Sequence, residues 1–260
     1  TTATDTHNIA IGFHAGNDIT TGVKNTIVGS QALSVLTDGA DNVAIGYEAL
    51  ASDTRGSKSV AVGKEALFAQ NQTSSVSTYN VAVGFKAGTA VTTGIENTLI
   101  GGVAGDAITT GTNNVALGFF ALSANQTGTH NTAVGNGALA QLNVSGNTFN
   151  TGVGAGAGNT LSTGTFNTLI GAACGDTLTT GQENVAVGTN ALTIDTKGTK
   201  SVAIGHSALE AQNFTTATES NNVAVGHNCG KAITTGTQNT LIGGQGGDGL
   251  QTGNNNFFFF

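Results

Sequence analysis

The stretch "NTLIGGVAGDAITTG", Asn97 to Gly111, admits two readings. A short apolar run ending at Ile100 leads into glycines at 101, 102 and 105. A strand feeding a glycine-rich loop is how a dinucleotide fingerprint begins, but that motif needs a helix after the loop and an acidic residue further on. No helical pattern follows here, and there is no Walker lysine. The other reading is one rung of a repeat. The same stretch returns as "NTLIGAACGDTLTTG" from Asn167 and as "NTLIGGQGGDGLQTG" from Asn239, which decides for the repeat.

The repeating unit is Asn-x-x-aliphatic-Gly. Its glycine falls at 12, 29, 46, 63, 84, 101, 118, 135, 154, 171, 188, 205, 226 and 243, mostly 17 residues apart. Positions below are counted from this key glycine. Position −1 is Ile, Val or Leu in all fourteen units, position −2 is mostly Ala, and position −3 is Val, Ile or Thr. Large-small-large is strand alternation, and it predicts that −1 and −3 face a core while −2 faces out. Position +3 is Ala in eleven units, and position +10 is Gly in eleven, read as a turn residue able to take positive φ.

Position −4 is Asn in twelve units: Asn8, Asn25, Asn42, Asn80, Asn97, Asn114, Asn131, Asn150, Asn167, Asn184, Asn222 and Asn239. Ser59 and Ser201 fill the other two. An Asn at the same corner of every unit predicts a stacked amide ladder that satisfies turn backbone groups. Such a unit cannot bury its apolar face alone, so stacked copies must make the core. The expected fold is all-β, a parallel β-solenoid of about fourteen ~17-residue coils. At ~4.8 Å per coil it would be a rod of roughly 65–70 Å. Residues 1–253 form one repeat domain in this reading. Residues 254–260, "NNNFFFF", are expected to be an irregular tail, an artefact or a join to a further domain.

Composition agrees with a repeat. The 260 residues include 40 glycines but no Pro, Met or Trp, and only 9% are charged. Glycine without proline is not collagen, and abundant aliphatic residues argue against disorder. A net charge of −7 argues against a nucleic-acid partner. No apolar run approaches the ~20 residues of a membrane span. The absence of an initial Met and of a signal peptide is read as a fragment or processed product.

A second order overlies the first. Position +4 alternates between Leu and Gly in blocks of four coils, and a longer coil closes each block, at 68–79, 141–146 and 211–220. The match is closer still over 142 residues: "NVAIGYEALASDTRGSKSVAVGKEAL" from Asn42 against "NVAVGTNALTIDTKGTKSVAIGHSAL" from Asn184. The second coil of each block carries a large residue at −2, namely Ile27, Leu99, Leu169 and Leu241. Read as outward, these four are the candidate subunit contacts. Aliphatic residues on more than one face invite lateral association, and three copies about an axis would bury them.

"NVAIG", "SVAVG", "NVAVG" and "SVAIG" resemble the head repeats of YadA-like trimeric autotransporter adhesins. They are equally similar to the "NTAIGxxAL…TTGxxNTAIGxxAG" repeats of phage tail fibres. The resemblance covers residues 8 to 253, and the 17-residue unit with "TTG" turns sits closer to the fibre type than to the shorter adhesin repeat. It implies a left-handed, trimerising β-roll that acts as a stalk or a host-binding surface, with a host cell-surface glycan or protein as partner. It carries over no catalytic residue and no cofactor. The expected place is a virion surface or, for the adhesin alternative, the outer surface of a bacterium. The expectation is therefore a structural, non-enzymatic chain; a polysaccharide-degrading solenoid is the third class.

Glu48 and Glu65 share position +2 of adjacent coils, so their Cα atoms would lie ~5 Å apart, the separation of carboxyl groups in a retaining glycosidase. Lys86 follows in the same column, which favours a solvated charge ladder. Asp106, Asp176 and Asp248 share another column but stand about four coils apart. The five histidines (His7, His14, His130, His206, His227) have no partner at ligand spacing, so no metal site is expected. Cys174 and Cys229 occupy the Ala column and read as small apolar residues, ~14 Å apart and too far for a disulfide. A trimer would offer each cysteine its symmetry mates as the alternative partners. Paired threonines such as Thr109-Thr110 point to opposite faces, unlike the flat Thr-x-Thr face of ice-binding solenoids. The sequons at Asn71, Asn125, Asn143 and Asn213 are expected to be unmodified, and the long loops are the expected contact surfaces.

Overall fold

The computed structural model describes residues 6–259, and its strands are all parallel, with no helix among the described residues. The chain divides into two compact units, Thr1–Thr129 and His130–Phe260. In the first, seven three-residue strands stack in register: Ile9–Ile11, Thr26–Val28, Val43–Ile45, Val60–Val62, Val81–Val83, Thr98–Ile100 and Val115–Leu117. They belong to coils 1 to 7. The second unit stacks Thr132–Val134, Thr151–Val153, Thr168–Ile170, Val185–Val187, Val202–Ile204, Val223–Val225 and Thr240–Ile242 in the same way, as coils 8 to 14. Each unit is a parallel β-solenoid. Among the described residues no helix is long and apolar enough to cross a membrane.

The tail departs from expectation. Phe257–Phe259 pairs in register with Thr240–Ile242, and Asn256 takes the place of a ladder Asn, its backbone N–H and Nδ2 donating to Asn239 Oδ1. Residues 254–259 thus repeat the start of a coil, with Phe257–Phe259 in the strand positions. Periodicity was hidden there because aromatic residues replace the usual aliphatics.

Between strands the backbone turns through repeated left-handed residues. In coil 6 these are Glu96, Gly101, Val103 and Gly105, with φ of 60°, 134°, 50° and 55°. Isolated, such non-glycine residues cost roughly 1–2 kcal/mol each. The turns persist because neighbouring coils bind their backbone: Val103 N–H donates to Phe85 O (2.8 Å) and Gly105 N–H to Ala121 O (2.9 Å). The key glycine is needed twice over, since a Cβ on Gly101 would also lie 2.5 Å from Gly118 O. Position +10 needs glycine for a different reason than expected. Gly111 does not take positive φ, but a Cβ there would lie 2.7 Å from Gly128 O in the next coil. Close coil stacking, not turn conformation, demands it.

The strand faces are the reverse of the sequence reading. Position −2 points inward: Ala44, Ala61, Ala82 and Ala116 are fully buried, and so are Ile27, Leu99, Leu169 and Leu241. Positions −1 and −3 point outward and are at least partly exposed, 39% at Ile100 within the stack and 61% at Ile11 in the first coil. The four candidate subunit contacts are therefore core residues. Physically, the coil is too narrow to hold large residues from every column. In coils 3, 4 and 7, where −2 is Ala, a Leu at +4 (Leu50, Leu67, Leu122) fills the interior. Where −2 is Leu, +4 is Gly: a Cβ on Gly88 or Gly105 would lie 2.6 or 2.7 Å from a Leu99 methyl carbon. Leu169 stands in the same relation to Gly158 and Gly175, and Leu241 to Gly230 and Gly247. The four-coil order is an exchange of volume within the core.

Candidate functional site

The Asn column is an interior ladder. Asn97 Nδ2 donates to Gly111 O (2.9 Å), closing its own coil, and Asn97 Oδ1 accepts from the backbone N–H of Asn114 (3.1 Å). The pattern repeats with Asn25 and Asn42 in the first unit, and with Asn167, Asn184 and Asn239 in the second. Asn80, Asn150 and Asn222 each close their coil on a glycine carbonyl in the same manner. Asn8 joins as donor to Gly22 O, and Asn131 accepts from Thr148 Oγ1 (2.6 Å). Apart from half-buried Asn8, these amides are buried, so their polar groups serve the fold.

Two breaks in the ladder hold a feature that sequence reasoning missed. Position +7 is an apolar core column (Leu36, Val91, Ile108), yet coils 3 and 4 place buried Asp53 and Gln70 there. Ser59 is too short to continue the ladder. Gln70 splices it: its Nε2 donates to Ser59 Oγ (2.9 Å) and Asp53 Oδ2 (2.6 Å), and its Oε1 accepts from Asn80 Nδ2 (2.8 Å). Asp53 Oδ1 accepts from Gly56 N–H (2.9 Å). The second unit repeats the splice with Asp195, Ser201, Gln212 and Asn222. Between them, Asn125, Asn131 and Leu142 occupy the corresponding positions, and the ladder there is an ordinary Asn. The signal in the sequence was this joint exchange of three residues.

Glu65 is bound by Lys64 (3.1 Å) and Lys86 (3.3 Å). The hydrogen bond from Lys64 chiefly holds its carboxyl below the usual range, the opposite of what a general acid needs. Burial raises Asp106 and Asp176, which lie in separate units. Cys174 and Cys229 are buried free thiols whose Sγ atoms donate to Ala186 O and Leu241 O, both at 3.2 Å. Buried there, neither can reach a symmetry mate. Burial pushes the Cys174 thiol up to about 12 and raises Cys229 as well. His206 and His227 stack at 5.3 Å on the surface, and no group of three metal-ligating side chains exists among the described residues. Asn71 and Asn143 are exposed, Asn213 is half-buried, and Asn125 is buried. A shallow recess of about 380 Å³ is lined by Ala211, Asn228, Lys231, Ala232, Gln245 and Asp248.

No protein family matches the chain. No curated protein matches it either. The reading of function therefore rests on the surfaces.

Two surfaces stand out. One is the sheet face of each unit, built from positions −3 and −1. In the first unit it runs from Ile9 and Ile11 through Val43, Ile45, Val60, Val62, Val81, Val83 and Ile100 to Val115 and Leu117, without a charged side chain in either column. The second is position +1, just past the key glycine. In the first unit it reads Phe13, Ser30, Tyr47, Lys64, Phe85, Gly102, Phe119. All four aromatics are exposed, Tyr47 by 45% and Phe85 by 51%. Lys64 Nζ lies 5.7 Å from the Tyr47 ring centre and 6.0 Å from that of Phe85, which puts it between them on one face.

Proposed function

We propose that the chain is a structural and adhesive fibre segment, of the kind found in a phage tail fibre or similar virion appendage, working as a homotrimer on a virion or other extracellular surface. The observation that carries this reading is the uncharged, half-exposed sheet face that runs through every coil of each unit. An apolar patch of that length on a soluble chain calls for a cover, and identical copies about a symmetry axis supply one. The subunit contact then comprises the −1 and −3 columns, such as Val62 and Ile100, in place of the buried leucines. The ladder supports the mechanical side: polar groups inside the coils are spent on coil-to-coil bonds. The head of a trimeric autotransporter adhesin is the second reading, favoured by the same repeats, and it places the chain on a bacterial outer surface. A host glycan or protein is the partner in either case.

Solution mass is the test. A mass near three times the 25.7 kDa chain is expected, and Val62→Asp together with Ile100→Asp should lower it to that of one chain. A wild-type chain that stays monomeric at micromolar concentration would overturn the assembly.

A further inference from the structure

The +1 row of the first unit places aromatic rings on alternate coils: Phe13 on coil 1, Tyr47 on coil 3, Phe85 on coil 5 and Phe119 on coil 7. Parallel in-register coils make this spacing regular, about 9.5 Å between successive rings. The coils between carry Ser30, Lys64 and Gly102. Phe119 leans over the bare backbone of Gly102, within 3.4 Å of where a Cβ would stand. Beside the row, position +2 offers polar groups at His14, Gln31, Glu48, Glu65 and Lys86.

Folding does not ask for these rings. The positions 142 residues further on hold Ala155, Thr189 and His227 in place of Phe13, Tyr47 and Phe85, on coils whose three-residue strands pair in the same parallel fashion. Exposed aromatics that one copy of a duplicated scaffold has and the other lacks point to binding.

We propose that the +1 row of the first unit is a binding track for an extended, β-linked neutral polysaccharide, with Phe13, Tyr47, Phe85 and Phe119 stacking on every second sugar ring. The two-coil step is close to the length of a disaccharide in such a chain, where alternate sugars present the same face. Pyranose rings offer apolar C–H faces to aromatic rings and hydroxyls at their edges, matching ring faces on +1 and polar groups on +2. The polar and bare positions between the rings make a discontinuous row, unlike the unbroken apolar stripe a lipid surface would select. The 17-residue period thus doubles as a ruler for a ligand with its own repeat. This inference deepens the adhesive reading and rests on it for its setting. Its test is independent, because solution mass reports on assembly and saccharide binding reports on the track.

The test is calorimetric titration of the full chain with cellohexaose and chitohexaose, and with maltohexaose as an α-linked chain of different shape. One β-linked hexasaccharide should bind and maltohexaose should not. Tyr47→Thr with Phe85→His, the residues the second unit already carries, should weaken binding about tenfold or more while leaving solution mass and melting temperature unchanged. Phe13→Ala should weaken it less, being at the end of the row. The proposal is overturned if neither β-linked hexasaccharide binds the wild type, if the double variant binds equally well, or if maltohexaose binds as tightly. A change of solution mass in the double variant would also overturn it, by assigning the row to contacts between copies.

Discussion

Replacing Leu99 by Ala tests the reversal of the strand faces. Leu99 is fully buried, and its two methyl carbons rest against the bare backbones of Gly88 and Gly105. Those walls cannot move in to fill a gap. Gly88 N–H is held by Ala104 O at 3.0 Å, and Gly105 N–H by Ala121 O at 2.9 Å. The cost of a buried Leu→Ala change spans about 2.7–5 kcal/mol and rises with the volume left empty. A cavity walled by backbone belongs in the upper half of that range, at roughly 4–5 kcal/mol. Stacked coils need not unfold in one step. The assay is therefore urea unfolding by circular dichroism combined with amide exchange, which should show lost protection centred on coils 5 to 7. Solution mass should not change. A loss below about 1 kcal/mol accompanied by a lower mass would refute the reasoning, because that is how an outward residue at a subunit contact behaves.

Two further outcomes follow from the interior. Gln70→Leu alone leaves Asp53 Oδ2 and one Asn80 N–H without their partner, while Ser59 Oγ keeps Thr78 Oγ1, and should cost about 2–4 kcal/mol. Adding Asp53→Asn and Ser59→Asn, the set found at Asn125, Asn131 and Leu142, should recover more than half of it in chemical denaturation; strictly additive losses would sink the splice. Cys174 should resist iodoacetamide at pH 8 in the folded chain and react only once urea unfolds it. Its thiol is raised from an ordinary 9.0 to about 12, so the folded state holds the proton more tightly than the unfolded one. The stability this contributes is fully present below pH 9 and declines as pH rises towards 12. Alkylation of folded chain at the rate of a free thiol would contradict the burial.

The repeat, its parallel strands and the corner Asn were legible because each recurs at a fixed interval under one physical demand. The direction of the side chains was not. A three-residue strand offers one alternation, and large-small-large fits either face. The deciding clue was a correlation between columns: wherever −2 becomes Leu, +4 becomes Gly in that coil and the one before, as at Leu99 with Gly88 and Gly105. Only residues that share a volume trade size in this way. Position +10 was recognised as glycine but for the wrong cause, since contact between coils is invisible in the linear chain. The Asp53–Gln70 pair sits in a column whose other members are mostly aliphatic, and it could have been found by asking why a Ser interrupts the Asn column in the same coil.

The exchange between Leu99 and its two glycines also sets a grammar for changing the length of the chain. A coil with Ala at −2 and Leu at +4 is complete in itself, so one such coil can be added or lost without leaving a gap. Coils 5 and 6 are not separable in this way. Losing coil 6 alone would leave Gly88 facing the small Ala116 with nothing between them, whereas losing coils 5 and 6 together would set Leu67 beneath Ala116, a junction the scaffold already uses elsewhere. Growth by duplication is therefore neutral in some places at a step of one coil and in others only at a step of two, so the pairing of Leu and Gly across coils, rather than the coil alone, sets the unit in which this scaffold can be copied.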